Sequence, residues 1–202
     1  DNTYIELLAP QGEGMAADIV NRILSTRGPC LGGLVFGTES ADDFISHARS
    51  QGLEASDPVP GHGVDQQTGA ERRWRNMFWD PAAARGIFSF CIEHEAGSTL
   101  PEATPHGAGA IAGVDHVVVK TQSAEAAKAF YGDQLGIRLA LEQDVPEWGG
   151  VQLFFRASSM SIEVIVADKA PEQDELWGLA LKTDDIETTH ARLTESHVEV
   201  SD

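Results

Sequence analysis

Three arginines within four residues, Arg72, Arg73 and Arg75 interleaved with Trp74, stand out in a chain with 14 basic against 32 acidic residues. On a strand successive side chains point to opposite faces, so Arg73 and Arg75 share one face and Arg72 and Trp74 the other. A guanidinium inside a concave sheet could hold a carboxylate or a thioester-like anion, which makes Arg73 and Arg75 candidate substrate-binding residues. The plainer reading is of solvated arginines paired with nearby acids. Cys30 and Cys91 are too few for a disulfide framework and lack the Cys or His spacing of a zinc site. No Ser-His-Asp or Cys-His signature accompanies the seven histidines. The glycines around Ala108 and around His62 lack the strand-to-helix setting of a phosphate loop.

Stepping along the chain, residues 31–57 align without a gap on residues 176–202, with identities at Leu31/Leu176, Gly33/Gly178, Leu34/Leu179, Thr38/Thr183 and Glu54/Glu199. A third copy runs over 113–139, where His116 stands in the place of Gly33 and Gly178. Three short β-rich runs, at 4–9, 90–95 and 161–166, each carry an embedded glutamate: Glu6, Glu93 and Glu163. The complete unit reads as a strand at 114–121, a helix capped by Ser123 and ending near Gly136, and strands near 139–143, 150–156 and 160–167. That is a βαβββ module. By alignment, module A contributes its tail at 1–10, module B spans 30–95, module C spans 113–167, and module D begins at 175. Half a sheet would leave unpaired edges, so the sequence is expected to be a fragment, incomplete at both ends, of a longer chain. Residues 96–112, rich in Gly, Ala, Pro and Ser, read as the linker between two domains, 1–95 and 113–202.

A formal charge of −18 repels polyanions and anionic membrane surfaces, so neither nucleic acid nor membrane is expected as a partner. Apolar stretches fall far short of the roughly 20 residues of a membrane helix. The cysteine usage suits a cytoplasmic setting.

The run from Gly113 to Val119, the helix with Ala129, Phe130 and Tyr131 before Leu135 and Gly136, and the closing strand around Glu163 resemble the vicinal oxygen chelate superfamily, which includes glyoxalase I, bleomycin-resistance proteins and ring-cleaving dioxygenases. The first half resembles its glyoxalase-like domain group. The resemblance implies an α+β fold of tandem modules forming cupped mixed sheets, with metal ligands on the first and fourth strands of each module. Carried over, it makes His116 and Glu163 ligands of a divalent metal (Zn, Ni, Mn, Fe or Co), with Glu6 and Glu93 as matching carboxylates in the first domain. An imidazole and a carboxylate from different strands of one sheet can converge on such an ion; a core histidine and a solvated glutamate are the bland alternative. Gly178 departs from the pattern, since it leaves the first-strand ligand of module D without a side chain.

The function implied is a metal-dependent lyase or isomerase acting on a small substrate with vicinal oxygens, the metal acting as a Lewis acid and Glu163 shuttling a proton. One alternative is a metal-free, drug-sequestering binder using Phe154, Phe155, Trp148 and Trp177. Another is a ring-cleaving dioxygenase, which a His in the first strand of module A would revive. A small-molecule substrate is the expected partner, and a homodimer stays open.

Overall fold

The structure, a computed structural model, describes residues 3–95, 104, 107–146 and 150–201. One local device recurs at three strand ends and accounts for part of the repeat. The hydroxyls of Thr38, Thr121 and Thr183 each accept from the backbone N–H two residues on, at 3.3, 3.2 and 3.4 Å. That residue, Ser40, Ser123 or Asp185, in turn accepts from the N–H three residues further along, at 3.2, 3.1 and 3.0 Å. Each pair stops a strand and caps the helix that follows: α2 (Ala41–Ser50), α3 (Ala124–Ala127) and α4 (Ile186–Glu195).

After α1 (Met15–Arg27), the first unit comprises β1 (Leu34–Gly37), α2, β2 (Val59–Val64), β3 (Glu71–Phe78) and β4 (Ser89–His94), in the order β1-β4-β3-β2 with β1 parallel to β4. The second comprises β5 (Ile111–Thr121), α3, β6 (Arg138–Val145), β7 (Gly150–Ala157) and β8 (Met160–Ala167), with β5 parallel to β8. β9 (Glu175–Thr183) then adds antiparallel to β5, giving the order β6-β7-β8-β5-β9. Both units are βαβββ modules in mixed sheets, as the repeat predicts.

Three boundaries differ. β5 begins at Ile111, inside the stretch expected to be linker, most of which lies outside the described residues. The third helix passes into π geometry over Lys128–Gln134 and stops there, two residues before Gly136, whose φ of +67° suits a helix exit. Residues 4–9, expected as a strand, form none: an extended run needs a hydrogen-bonded neighbour, and no described strand lies beside it. Leu7 is 94% exposed there.

Each sheet turns one face to a hydrophobic core that is continuous between the two halves. Phe36 and Trp79 from the first half meet Tyr131 and Phe130 from the second, at ring separations of 6.5 and 6.1 Å. A polar clasp joins the halves nearby. Asp174 is buried and accepts from Arg85 Nε at 2.8 Å and from the Thr121 hydroxyl at 2.7 Å, while its own N–H donates to the Arg85 carbonyl. No helix among the described residues is long and apolar enough to cross a membrane.

Candidate functional site

Strand alternation on β5 sends Val117 and Val119 into the core and turns His116, Val118 and Lys120 to the opposite, concave face. On β8, Ile162 and Val164 are core residues, so Ser161, Glu163 and Ile165 share the concave face with His116. The parallel register places Glu163 beside Val118 and Ser161 beside His116, one step along the ladder. His116 Nε2 therefore lies 3.0 Å from Glu163 Oε2. The other ring nitrogen, Nδ1, lies 2.8 Å from Asp115 Oδ2, and Asp115 Oδ1 is 3.4 Å from Lys182 Nζ. The imidazole hydrogen bond, with help from the Lys182 ammonium, holds the Asp115 carboxyl below the usual carboxylate range.

Glu163 is 7% exposed and its second oxygen, Oε1, accepts from Gln152 Nε2 at 2.7 Å. Phe154, the Cα partner of Glu163 on β7, sets its ring edge-on to His116 at 6.5 Å. A cavity of about 490 Å³ opens over the pair, walled by Val118, Ile165, Trp177, Gly178, Leu179 and Ala180. Lys120 Nζ sits 4.2 Å from the centroid of the ring of Trp177, one of the lining residues.

The structure brings together His116 and Glu163 and does not bring Glu6 or Glu93 to them. In the first sheet Arg75 pairs with Glu93 and Met77 with Cys91, and the burial of Met77 and Cys91 identifies that face as the core side. Glu93 is held by Arg75 at 2.5 Å, and this guanidinium, with the Ala41 backbone N–H, keeps its carboxyl below the usual range. The register explains the displacement: Val35 of β1 faces Phe90, as Val118 of β5 faces Glu163, so Phe90 takes the glutamate's place and Glu93, an odd number of residues on, points to the other face.

The same alternation corrects the arginine expectation. Arg73 and Arg75 do share a face, but it is not the concave one; Arg73 is exposed and lies 3.5 Å from Glu71. Arg72 and Trp74 are the residues on the concave side, with His94 and Asn76. Glu6 is exposed, belongs to no strand, and its charge acts on Tyr4 and His94 of the first half. Of the expected aromatic wall, Trp177 lines the cavity, Phe154 stands edge-on to His116, Phe155 is fully buried against Tyr131, and Trp148 lies outside the described residues. The sequence reading passed over Asp115, Gln152 and Lys120. A single polar residue in the apolar run 151–155 was the available signal for Gln152.

A metal fits half of this site. His116 and Glu163 offer one nitrogen and one oxygen, with Asp115 and Gln152 behind them as the outer hydrogen bonds that ligands of this kind use. Among the described residues no group of three or more His, Cys, Asp or Glu is placed to hold an ion.

Family comparison decides the affiliation. Residues 1–114 match the glyoxalase-like domain family, and residues 113–202 match the Glyoxalase/Bleomycin resistance protein/Dioxygenase superfamily. The chain belongs to the glyoxalase superfamily. No curated protein matches it. Among solved structures, a hypothetical protein from Staphylococcus aureus aligns at TM-score 0.54 with 8% identity, over 79% of this chain and 64% of its own. Methylmalonyl-CoA epimerase from Mycobacterium tuberculosis aligns at TM-score 0.39 with 19% identity, over 43% of this chain and 65% of its own. A methylmalonyl-CoA epimerase in complex with methylmalonyl-CoA and NH4+ aligns at TM-score 0.39 with 12% identity, over 45% of this chain and 73% of its own. This glyoxalase-superfamily chain thus spans under two thirds of the length of the first two.

The two glycines at the ligand position differ in kind. A Cβ at Gly33 would stand 2.6 Å from the Phe88 carbonyl oxygen, whereas one at Gly178 meets nothing within 4 Å and opens into the cavity. Gly178→His is therefore expected to fold normally and to supply a third ligand beside His116 and Glu163, raising Co²⁺ affinity at least about tenfold. An unchanged affinity by calorimetry would show that position 178 does not reach the pair.

Proposed function

We propose that this glyoxalase-superfamily protein binds a small substrate with vicinal oxygens in the second sheet's cavity and acts on it as a divalent-metal-dependent lyase or isomerase. The observation that carries the reading is the His116–Glu163 pair, two side chains from adjacent parallel strands converging at 3.0 Å on the floor of a concave apolar cavity. These two residues would hold the metal, which supplies Lewis-acid stabilisation of an oxyanion when bound. Asp115 fixes the ring orientation of His116 through Nδ1. Glu163 is the carboxylate that lines the cavity and the candidate for moving a proton between adjacent substrate carbons. Val118, Ile165 and Phe154 keep the pair in an apolar setting.

Lys120 adds a preference for anions. It makes no ion pair among the described residues, and its ammonium rests on the ring of Trp177, which lines the cavity. Lys120→Met is expected to weaken binding of small organic acids about three- to tenfold and leave their methyl esters unaffected, as read by calorimetry. Equal losses for acid and ester would remove the charge preference.

The test is metal content. The intact protein, purified without chelator, is expected to carry about one divalent ion per chain by mass spectrometry, and to take up Co²⁺ stoichiometrically after chelator treatment. A protein that binds no divalent ion under either condition is not the enzyme described.

One feature favours a second reading, a metal-free small-molecule binder. On the concave face of the first sheet, the buried atoms Asn76 Oδ1 and His94 Nδ1 have no hydrogen-bond partner among the described residues, and Trp74 lies over Gly61 beside them. In either reading the free thiols of Cys30 and Cys91 suit a cytoplasmic setting, with burial pushing Cys91 up to about 12 and keeping it an inert thiol.

A further inference from the structure

We infer that Gln152, itself held by Gln143, is a positioning residue that presents Glu163 to the cavity; the inference rests on the reading of the His116–Glu163 pair given above. Gln152 lies on β7 with Ile165 as its Cα partner on β8, so it meets Glu163 across the diagonal of the ladder on the concave face. The contact is deep, with Gln152 4% and Glu163 7% exposed.

Donor and acceptor chemistry then orders the whole chain. An ionised carboxylate only accepts, so Gln152 must offer its NH₂ to Glu163 Oε1, at 2.7 Å. This turns the Gln152 carbonyl the other way, where Gln143 Nε2 donates to it at 2.8 Å. Gln143 is directly across β6–β7 from Gln152 and is exposed, so the row begins in solvent and ends at the buried carboxylate. With Oε1 committed to Gln152, Oε2 is the oxygen directed at His116.

Packing alone does not account for this amide. The core side of β7 is occupied by Leu153 and Phe155, and Gln152 stands on the opposite face. A buried amide costs free energy unless its hydrogen bonds are made, and of the two found here one goes to Glu163 and the other, from Gln143, holds the amide in the orientation that donates to it. Leucine would fill the same volume without serving the carboxylate.

The test uses the intact chain with Gln152→Leu and Gln143→Leu, Co²⁺ alone as the probe, and two readouts. Calorimetry and the visible absorption bands of bound Co²⁺ report the ligand geometry. Imidazole ¹⁵N spectra of the metal-free protein, with His116 assigned from His116→Ala, report whether Glu163 still reaches Nε2. Gln152→Leu is expected to weaken Co²⁺ binding ten- to a hundredfold, shift the bands and move the His116 Nε2 resonance. Exposed Gln143→Leu, which poses little risk to folding, should shift the same readouts less and in the same direction. Gln152→Glu should not restore them, because a carboxylate cannot donate. If the parent binds Co²⁺ and Gln152→Leu binds it equally with unchanged bands, the positioning role is overturned while the reading of the pair stands. If the parent binds no Co²⁺, that reading fails, and the His116 resonance decides this one: displaced in Gln152→Leu it supports the role, unmoved it overturns it.

Discussion

Alanine at Glu163, and separately at His116, is expected to lower divalent-metal affinity by about a hundredfold or more, to the point where the purified variants carry no stoichiometric ion. The two side chains are the only His or carboxylate groups among the described residues that meet on the cavity floor, at 3.0 Å, so removing either leaves a single ligand. Folding should survive. Both residues stand on the concave face, opposite the core positions Val117, Val119, Ile162 and Val164, and neither contributes to the shared core. Thermal unfolding within a few degrees of the parent, beside metal content and Co²⁺ calorimetry, separates loss of the site from loss of the fold. Glu163→Gln is the sharper probe, since it keeps the shape of the side chain and removes the charge. Metal retained at parental affinity in both alanine variants would place the ion elsewhere in the molecule and remove the basis of the proposed chemistry.

Asp174→Ala is expected to cost about 2–3 kcal/mol of folding stability, about 5–10 °C in midpoint for a chain of this size. Asp174 is buried, and one of its oxygens accepts from both Arg85 and Thr121. Truncation leaves the Arg85 guanidinium and the Thr121 hydroxyl without that acceptor at the junction between the halves. Thr121 also accepts from Ser123 N–H, so the loosened hydroxyl reaches the cap of α3. Asp174→Asn retains an acceptor for Thr121 and loses the charge, so about half the effect is expected. A midpoint that moves by less than 2 °C in Asp174→Ala would show that the apolar contacts of Trp79, Phe36, Phe130 and Tyr131 hold the halves together unaided.

The modules were legible in the chain because their rules are local. Alternation, a threonine closing a strand and a Ser or Asp cap two residues later are written in consecutive residues, so the βαβββ order, Ser123 as cap and the strands around Leu153 and Val164 follow from reading along the sequence. That His116 and Glu163 lie on strands of one sheet was legible as well, since both stand in runs whose alternation is unambiguous.

The errors share one physical cause. A strand's two faces look alike until its neighbours establish which one is buried, and a slip of one residue exchanges them. Arg73 and Arg75 were correctly placed together, yet the core contacts of Met77 and Cys91 decide that their face is not the concave one. Glu93 matched Glu163 in its local run, and the β1–β4 ladder put Phe90 in that place instead. Gly33 and Gly178 are indistinguishable as letters; the carbonyl of Phe88 closes one position and open space leaves the other available. The Gln143–Gln152–Glu163 row joins three strands and the Arg85–Asp174 clasp links residues 89 apart, and apart from the lone Gln152 in its apolar run neither has a trace in local sequence. Local hydrogen-bond chemistry sets the elements, whereas register and burial, which exist only once strands are side by side, select the residues that face the cavity.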